Sequence, residues 1–139
     1  MTLRPDLVQS AIVQFVLDQS TITVELGDTD EVREREWQGR EFDYPNVRFY
    51  LGTITPTSKD CNKYDLEPRF IVFSEESSSA EANKIAGIIN TVLHDKGFTY
   101  TVESTAIHVY LATTSIIPAI REDERTWRAE LMMRGEASG

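Results

Sequence analysis

Two histidines, a single cysteine and several close carboxylate pairs are the residues of this chain able to carry chemistry. A cysteine beside a histidine makes a thiolate nucleophile with its base. Cys61, however, lies in a polar stretch, SKDCNKY, with no histidine next to it in sequence. It reads as a bystander thiol, and as the only cysteine it can form no intrachain disulfide. His94 falls late in a helical pattern and reads as a surface residue that assists the helix end. His108 shares one side of an extended run with Tyr110 and reads as a residue of a sheet face rather than a general base. Asp28-Thr-Asp30 lacks the glycine and the terminal glutamate of a calcium loop. Glu75-Glu76 and Glu122-Asp123-Glu124 read as solvated charge runs, and Ser77-Ser78-Ser79 as a helix-capping cluster. No phosphate-binding loop, dinucleotide fingerprint or zinc spacing is present. These residues form no catalytic constellation, and no cofactor or metal is expected.

Composition bounds the rest. With 139 residues the chain has the size of one domain, and its 40% hydrophobic content is enough for one core. No apolar run approaches the roughly 20 residues that a membrane span requires. The N-terminal MTLRPDLVQSAIVQFVLDQ is amphipathic, without the unbroken apolar stretch of a signal peptide, so the chain is expected to stay in the compartment where it is made. The net charge of −9, from 23 acidic against 14 basic residues, opposes any general attraction to nucleic-acid phosphate.

The elements that would position these side chains follow from periodicity. Leu7, Ala11, Ile12, Phe15 and Val16 share one helical face over 5–18, with Pro5 suited to the first turn. A short element over 22–26 stops at Gly27. Residues 31–39, EVREREWQG, fit neither period and stay unassigned. Alternation predicts a strand over 47–55, where Gly52 marks a bulge or a close approach. Residues 56–64 read as a loop. A second strand over 65–74 is apolar on both faces and therefore central. The main helix is predicted over 79–96, with Ser78 and Glu81 as a capping box and Gly97 as its left-handed stop. Extended runs follow over 99–102, 106–113 and 126–134, with a frayed tail from about residue 135. The fold class is α+β: one domain over 1–139 with a mostly antiparallel sheet of about four to five strands, an N-terminal helix and one long central helix packed on it.

One group resists a bland reading. Ile116, Ile117 and Ile120 fall in the connection between two strands, beside the charge cluster from Arg121 to Arg125. If the flanking strands form a hairpin, these side chains project near its far end, and an apolar cluster rimmed by charge marks a protein partner. If the strands are longer, the same residues belong to the core. Ile116, Ile117, Ile120, Arg121 and Arg125 are the candidate interface residues.

In order and texture the chain resembles the tail terminator (tail completion) proteins of long-tailed bacteriophages. The features that carry the resemblance are the LRPDLVQSAIVQFVLDQ helix and the charged-aromatic EREWQGREFDYPNVRFYLG leading into the first strand. The strand-to-helix block FIVFSEESSSAEANKIAGIINTVLHDKGF and the closing TWRAELMMRGEAS complete it. The resemblance implies a sheet covered by helices, assembled as a hexameric ring on the end of the tail tube, in the virion and built in the host cytoplasm. Its implied partners are further copies of the chain, the tail tube protein and a neck or connector protein. In such a ring DNA would pass through the lumen without specific binding, since any negative wall would repel it. No catalysis, cofactor or membrane is implied. Another head–tail connector or neck component is the alternative within the class. A small α+β enzyme using Cys61, His94 or His108 is the alternative outside it.

Overall fold

A computed structural model of the chain describes residues 3–29, 32–34, 44–57 and 62–139. Cys61, Asp30 and most of the unassigned 31–39 segment lie outside the described residues.

The N-terminal helix forms nearly where its period places it, as α1 (Pro5–Leu17), burying Leu7, Val8, Ala11, Ile12 and Val16. Arg4 precedes it and pairs with both Asp6 and Glu103 at 2.9 Å, which ties the helix start to the far end of the chain's third quarter. A one-turn helix α2 (Ser20–Thr23) and a 3-10 segment (Val24–Thr29) follow, so the short second element is helical and carries the buried Ile22 and Leu26.

Eight strands are described, more than the four to five expected: β1 (Val32–Glu34), β2 (Asn46–Tyr50), β3 (Ile54–Pro56), β4 (Lys63–Leu66), β5 (Arg69–Ser74), β6 (Lys96–Val102), β7 (Thr105–Arg121) and β8 (Trp127–Ser138). β1 falls in the unassigned segment, and the two other additional strands have a local cause. The two strands predicted over 47–55 and 65–74 are each broken once, and the breaks stand side by side. Gly52 adopts a left-handed φ of 73°, and a Cβ there would collide with the carbonyl oxygen of Glu67. Glu67 N–H in turn donates to Thr53 O at 3.2 Å. Pro68 interrupts the second strand at the same level. β8 runs past both breaks, pairing with β5 through its first half and with β4 through its second, and Met133 N–H bridges the gap to Pro68 O at 2.9 Å. The sheet is antiparallel throughout except for β1, which runs parallel to β2.

The tail expected to fray from about residue 135 is instead strand. Gly135 to Ser138 pair with β4 on one side and β7 on the other, and Ala137 is fully buried. GEASG reads as a loose end because it is small and polar, yet small residues are what this crowded position needs. A Cβ on Gly135 would collide with the Tyr110 carbonyl oxygen.

The main helix, α3 (Ala80–Leu93), buries Ala82, Ile85, Ala86, Ile89 and Leu93 and packs on β5, β7 and β8. Its caps differ from the expected ones. Ser79 is the N-cap and makes no side-chain bond; Ser78 Oγ accepts the Ala80 N–H at 3.3 Å. Glu81 closes no capping box because its carboxylate accepts the Ser74 hydroxyl at 2.8 Å. The left-handed stop falls at Asp95, with φ 55°, rather than at Gly97. Gly97 is already extended in β6 opposite Tyr110, so the turn must come earlier, and the Tyr110 hydroxyl donates to the Asp95 carboxylate.

The core lies on the helix-covered side of the sheet. Phe49 and Phe70 meet there with ring centroids 5.1 Å apart, and Phe15 of α1 stacks on Phe98 of β6 at 3.9 Å. The buried Tyr64 donates its hydroxyl to Leu3 O at 2.6 Å. As its two-sided pattern requires, β5 sits between β2 and β8 and is buried on both faces. Phe70 and Val72 face the core. Ile71 and Phe73 face the opposite side, where the Arg48 guanidinium lies 4.2 Å over the Phe73 ring.

Candidate functional site

Among the described residues, the two histidines do not converge. His94 follows α3, and its Nδ1 accepts the Thr113 N–H at 2.9 Å. His108 is exposed on β7, with Nδ1 2.8 Å from the Thr99 hydroxyl. Their anchor points on β7 are five residues, ~17 Å, apart along the strand. Among the described residues no group of three or more His, Cys, Asp or Glu side chains is placed to hold a metal ion, and no helix is long and apolar enough to cross a membrane.

What the topology does build is an arm. Among the described residues, β7 has β6 as a neighbour from Thr105 to Leu111, and beyond that Ala112–Arg121 pairs with β8 alone. A free edge of this length invites pairing with another chain unless it is blunted. Here α3 blunts it at two points: His94 takes the Thr113 N–H, and Asn83 Oδ1 accepts the Ala119 N–H at 2.7 Å. Pro118, which has no N–H, falls beside the second. Register shifts between Thr113 and Ser115 and between Ile117 and Ile120 bend the arm further.

The candidate interface residues lie on this arm, within the strand rather than in a connection. Ile116, Ile117 and Ile120 are 43%, 40% and 56% exposed. Longer strands thus go together with exposure, and not with burial in the core. The three do not form one patch. Ile116 is opposite Leu131, a core residue, and so faces the helix side. Ile117 is opposite Glu130 and Ile120 opposite Arg128, which places both on the open side. Arg121 turns back, donating to Glu124 O at 3.1 Å with its guanidinium 5.5 Å from the Trp127 ring centre. Asp123 holds the turn by accepting the N–H groups of Arg125 and Thr126 at 2.8 and 2.9 Å; those bonds keep its carboxyl below the usual range. The Arg125 side chain has no partner among the described residues.

The open side of the sheet carries the second feature, which periodicity alone did not indicate. At the level of the two strand breaks lies a trough of about 580 Å³, lined by Asp65, Glu67, Tyr110, Arg134 and Glu136 among others. A second hollow of about 560 Å³ adjoins it through Thr53, Glu67, Thr114 and Arg134 and reaches Tyr50 and Arg69. Asp65 and Glu136 are direct cross-strand partners, an unfavourable like-charge pair relieved by Lys63, 3.6 Å from Glu136. Glu130, further along the same face, is held by Arg69 at 3.5 Å and Arg128 at 3.3 Å. Of the large hydrophobic side chains left exposed among the described residues, Ile116, Ile117 and Ile120 are on the arm and Tyr50 and Tyr110 border the hollows. Tyr44 lines a hollow of about 280 Å³ at the turn of the arm, with Arg48, Glu122 and Arg128, and Val24 lies elsewhere. The trough has faint sequence signals in Gly52, Pro68 and Gly135, but Asp65 and Glu136 meet only through strand register.

Neither a protein-family model nor a curated protein matches this sequence. The fold, however, has a counterpart among solved structures. A chain of the solved structure "Virion of native gene transfer agent (GTA) particle" aligns over 95% of this chain and 95% of its own length, with a TM-score of 0.70 and 15% sequence identity. At that identity the likeness is one of fold.

Proposed function

We propose that this protein is a structural component of a phage-like virion, and within that class the ring that caps the tail tube. The observation that carries the reading is the end-to-end fold likeness to a chain of a virion particle. It supports the same class as the sequence resemblance to tail terminators, and the two rest on different observations. The arm and the open sheet face add physical plausibility, since a molecule that works by assembly needs exposed contact surface. In this reading copies associate as a hexamer, end polymerisation of the tail tube protein, and offer the opposite face to a neck protein. The net charge of −9 suits a lumen through which DNA moves without adhering. The reading assigns no catalytic step. A neck component of the same fold is the nearest rival, because the likeness is to a chain of a whole particle and singles out no position within it.

The test is to add the protein to polymerising tail tube protein and measure tube lengths by electron microscopy. A terminator shortens the length distribution and sits at one tube end. Unchanged lengths with no end-bound density would rule out the terminator role.

A further inference from the structure

A ring closes only when each copy offers two different surfaces that fit one another. We infer that the open flank of the β7–β8 arm of one copy seats in the 580 Å³ trough of the next. The inference rests on the ring reading above and names its contact surfaces.

The arm flank is apolar, and Arg125 is its cation without a partner among the described residues, since Arg128 is taken up by Glu130 at 3.3 Å. Ile117 and Ile120 are its exposed apolar residues, and Arg128 lies directly opposite Ile120. Of the acids nearby, Glu130 is held by Arg69 and Arg128 and Asp123 by the N–H groups of its own turn, while Glu122 shares a hollow with Arg128 and Glu124 one with Arg125. Glu122 and Glu124 fall in the turn, beyond the paired part of the strand.

The trough is the complement. Asp65, Glu67 and Glu136 outnumber the cations beside them, Arg134 in the lining and Lys63 at 3.6 Å from Glu136, and Tyr110, 42% exposed, borders an apolar floor. Its volume lies in the range that encloses a small ligand, leaving room for two isoleucine side chains. Lys63 meets Glu136 and leaves Asp65, its cross-strand neighbour, without a cation among the described residues, so a cation arriving from outside completes the pairing. The two surfaces also differ in inclination, because the register shift between Thr113 and Ser115 bends β7 between them.

The test uses the full chain with three variants: Ile117→Asp/Ile120→Asp on the arm, Asp65→Lys/Glu67→Lys in the trough, and Arg125→Glu/Asp65→Lys, which exchanges signs across the contact. Light scattering over a concentration series reads association, and circular dichroism melts confirm that each variant folds. Ile117→Ser/Ile120→Ser replaces the first variant if that one does not fold. The arm and trough variants should each associate at least tenfold more weakly than the parent. Mixed, they should form a two-copy species, because each keeps the surface that the other lacks. The sign-exchanged variant should recover much of the loss caused by Asp65→Lys alone. If the parent assembles and the arm and trough variants assemble equally well, the arm–trough contact is wrong while the ring reading stands. If each variant is monomeric but the mixture yields no pair, the pairing is likewise wrong. A parent that stays a single chain at every concentration, with or without tail tube protein, overturns both.

Discussion

Gly135→Ala is the single substitution on which the trough and the C-terminal strand most depend. Gly135 is paired with Leu66 of β4 on one side and Leu111 of β7 on the other, so its backbone cannot step aside. The added methyl would collide with the Tyr110 carbonyl oxygen and lie 2.8 Å from Leu111 Cδ2. Relief requires parting β7 from β8 where β4 also joins, which adds broken ladder bonds to the ordinary overpacking cost of about 1–3 kcal/mol. A loss of about 3 kcal/mol lowers the thermal midpoint of a domain this size by roughly 10–15 °C. Gly87→Ala is the control. It lies in α3 with nothing within 4 Å of the new methyl, and should gain about 0.5–1 kcal/mol. Circular dichroism melts of the two variants give the answer. If Gly135→Ala melts with the parent, residues 135–138 are not clamped between β4 and β7, and the floor of the trough is wrong.

Other outcomes follow from the same structure. Ile89→Ala should cost about 2–5 kcal/mol by chemical denaturation, since Ile89 is fully buried under α3. Tyr64→Phe removes the 2.6 Å bond to Leu3 O and leaves a buried carbonyl unpaired; a loss of about 1–3 kcal/mol is expected in the same assay. Asp6, through the Arg4 guanidinium, and Asp123, through the Arg125 and Thr126 N–H groups, both titrate below the usual 3.8. Their contribution is therefore present above that value and is lost as the pH falls through the folded values; Asp123→Asn should flatten the acid limb of a melt-versus-pH curve. Tyr100 and Tyr110 donate to Asp18 and Asp95, which raises both phenols above 10. That contribution persists below pH 10 and is lost as the pH rises through the folded values, so Tyr110→Phe should weaken the alkaline fall in the midpoint.

Periodicity served best where one face of an element is buried against the core. The stripe through Leu7, Ala11, Ile12 and Val16 located α1, and Ile85, Ala86 and Ile89 located α3. The doubly apolar run from Phe70 to Phe73 identified a central strand. It failed where a neighbour decides the conformation. Gly97 looks like a helix stop until its pairing with Tyr110 is known, and Glu81 looks like a cap until Ser74 claims its carboxylate. GEASG looks like a loose end for want of large residues, although their absence is the condition for β4, β8 and β7 to meet. For the candidate site the sequence indicated the isoleucines near the hairpin end but not their sides, because alternation cannot be carried through two register shifts. The trough left only faint signals in Gly52, Pro68 and Gly135, since its acids are brought together by pairing of distant strands.

Self-assembly is the claim on which the functional reading stands, and the mass of the species in solution tests it most directly. Light scattering on the purified chain, alone and with tail tube protein, should find a discrete closed species of several copies, a hexamer if the proposed ring is right. A mass of one chain under both conditions, over the full accessible concentration range, would contradict it.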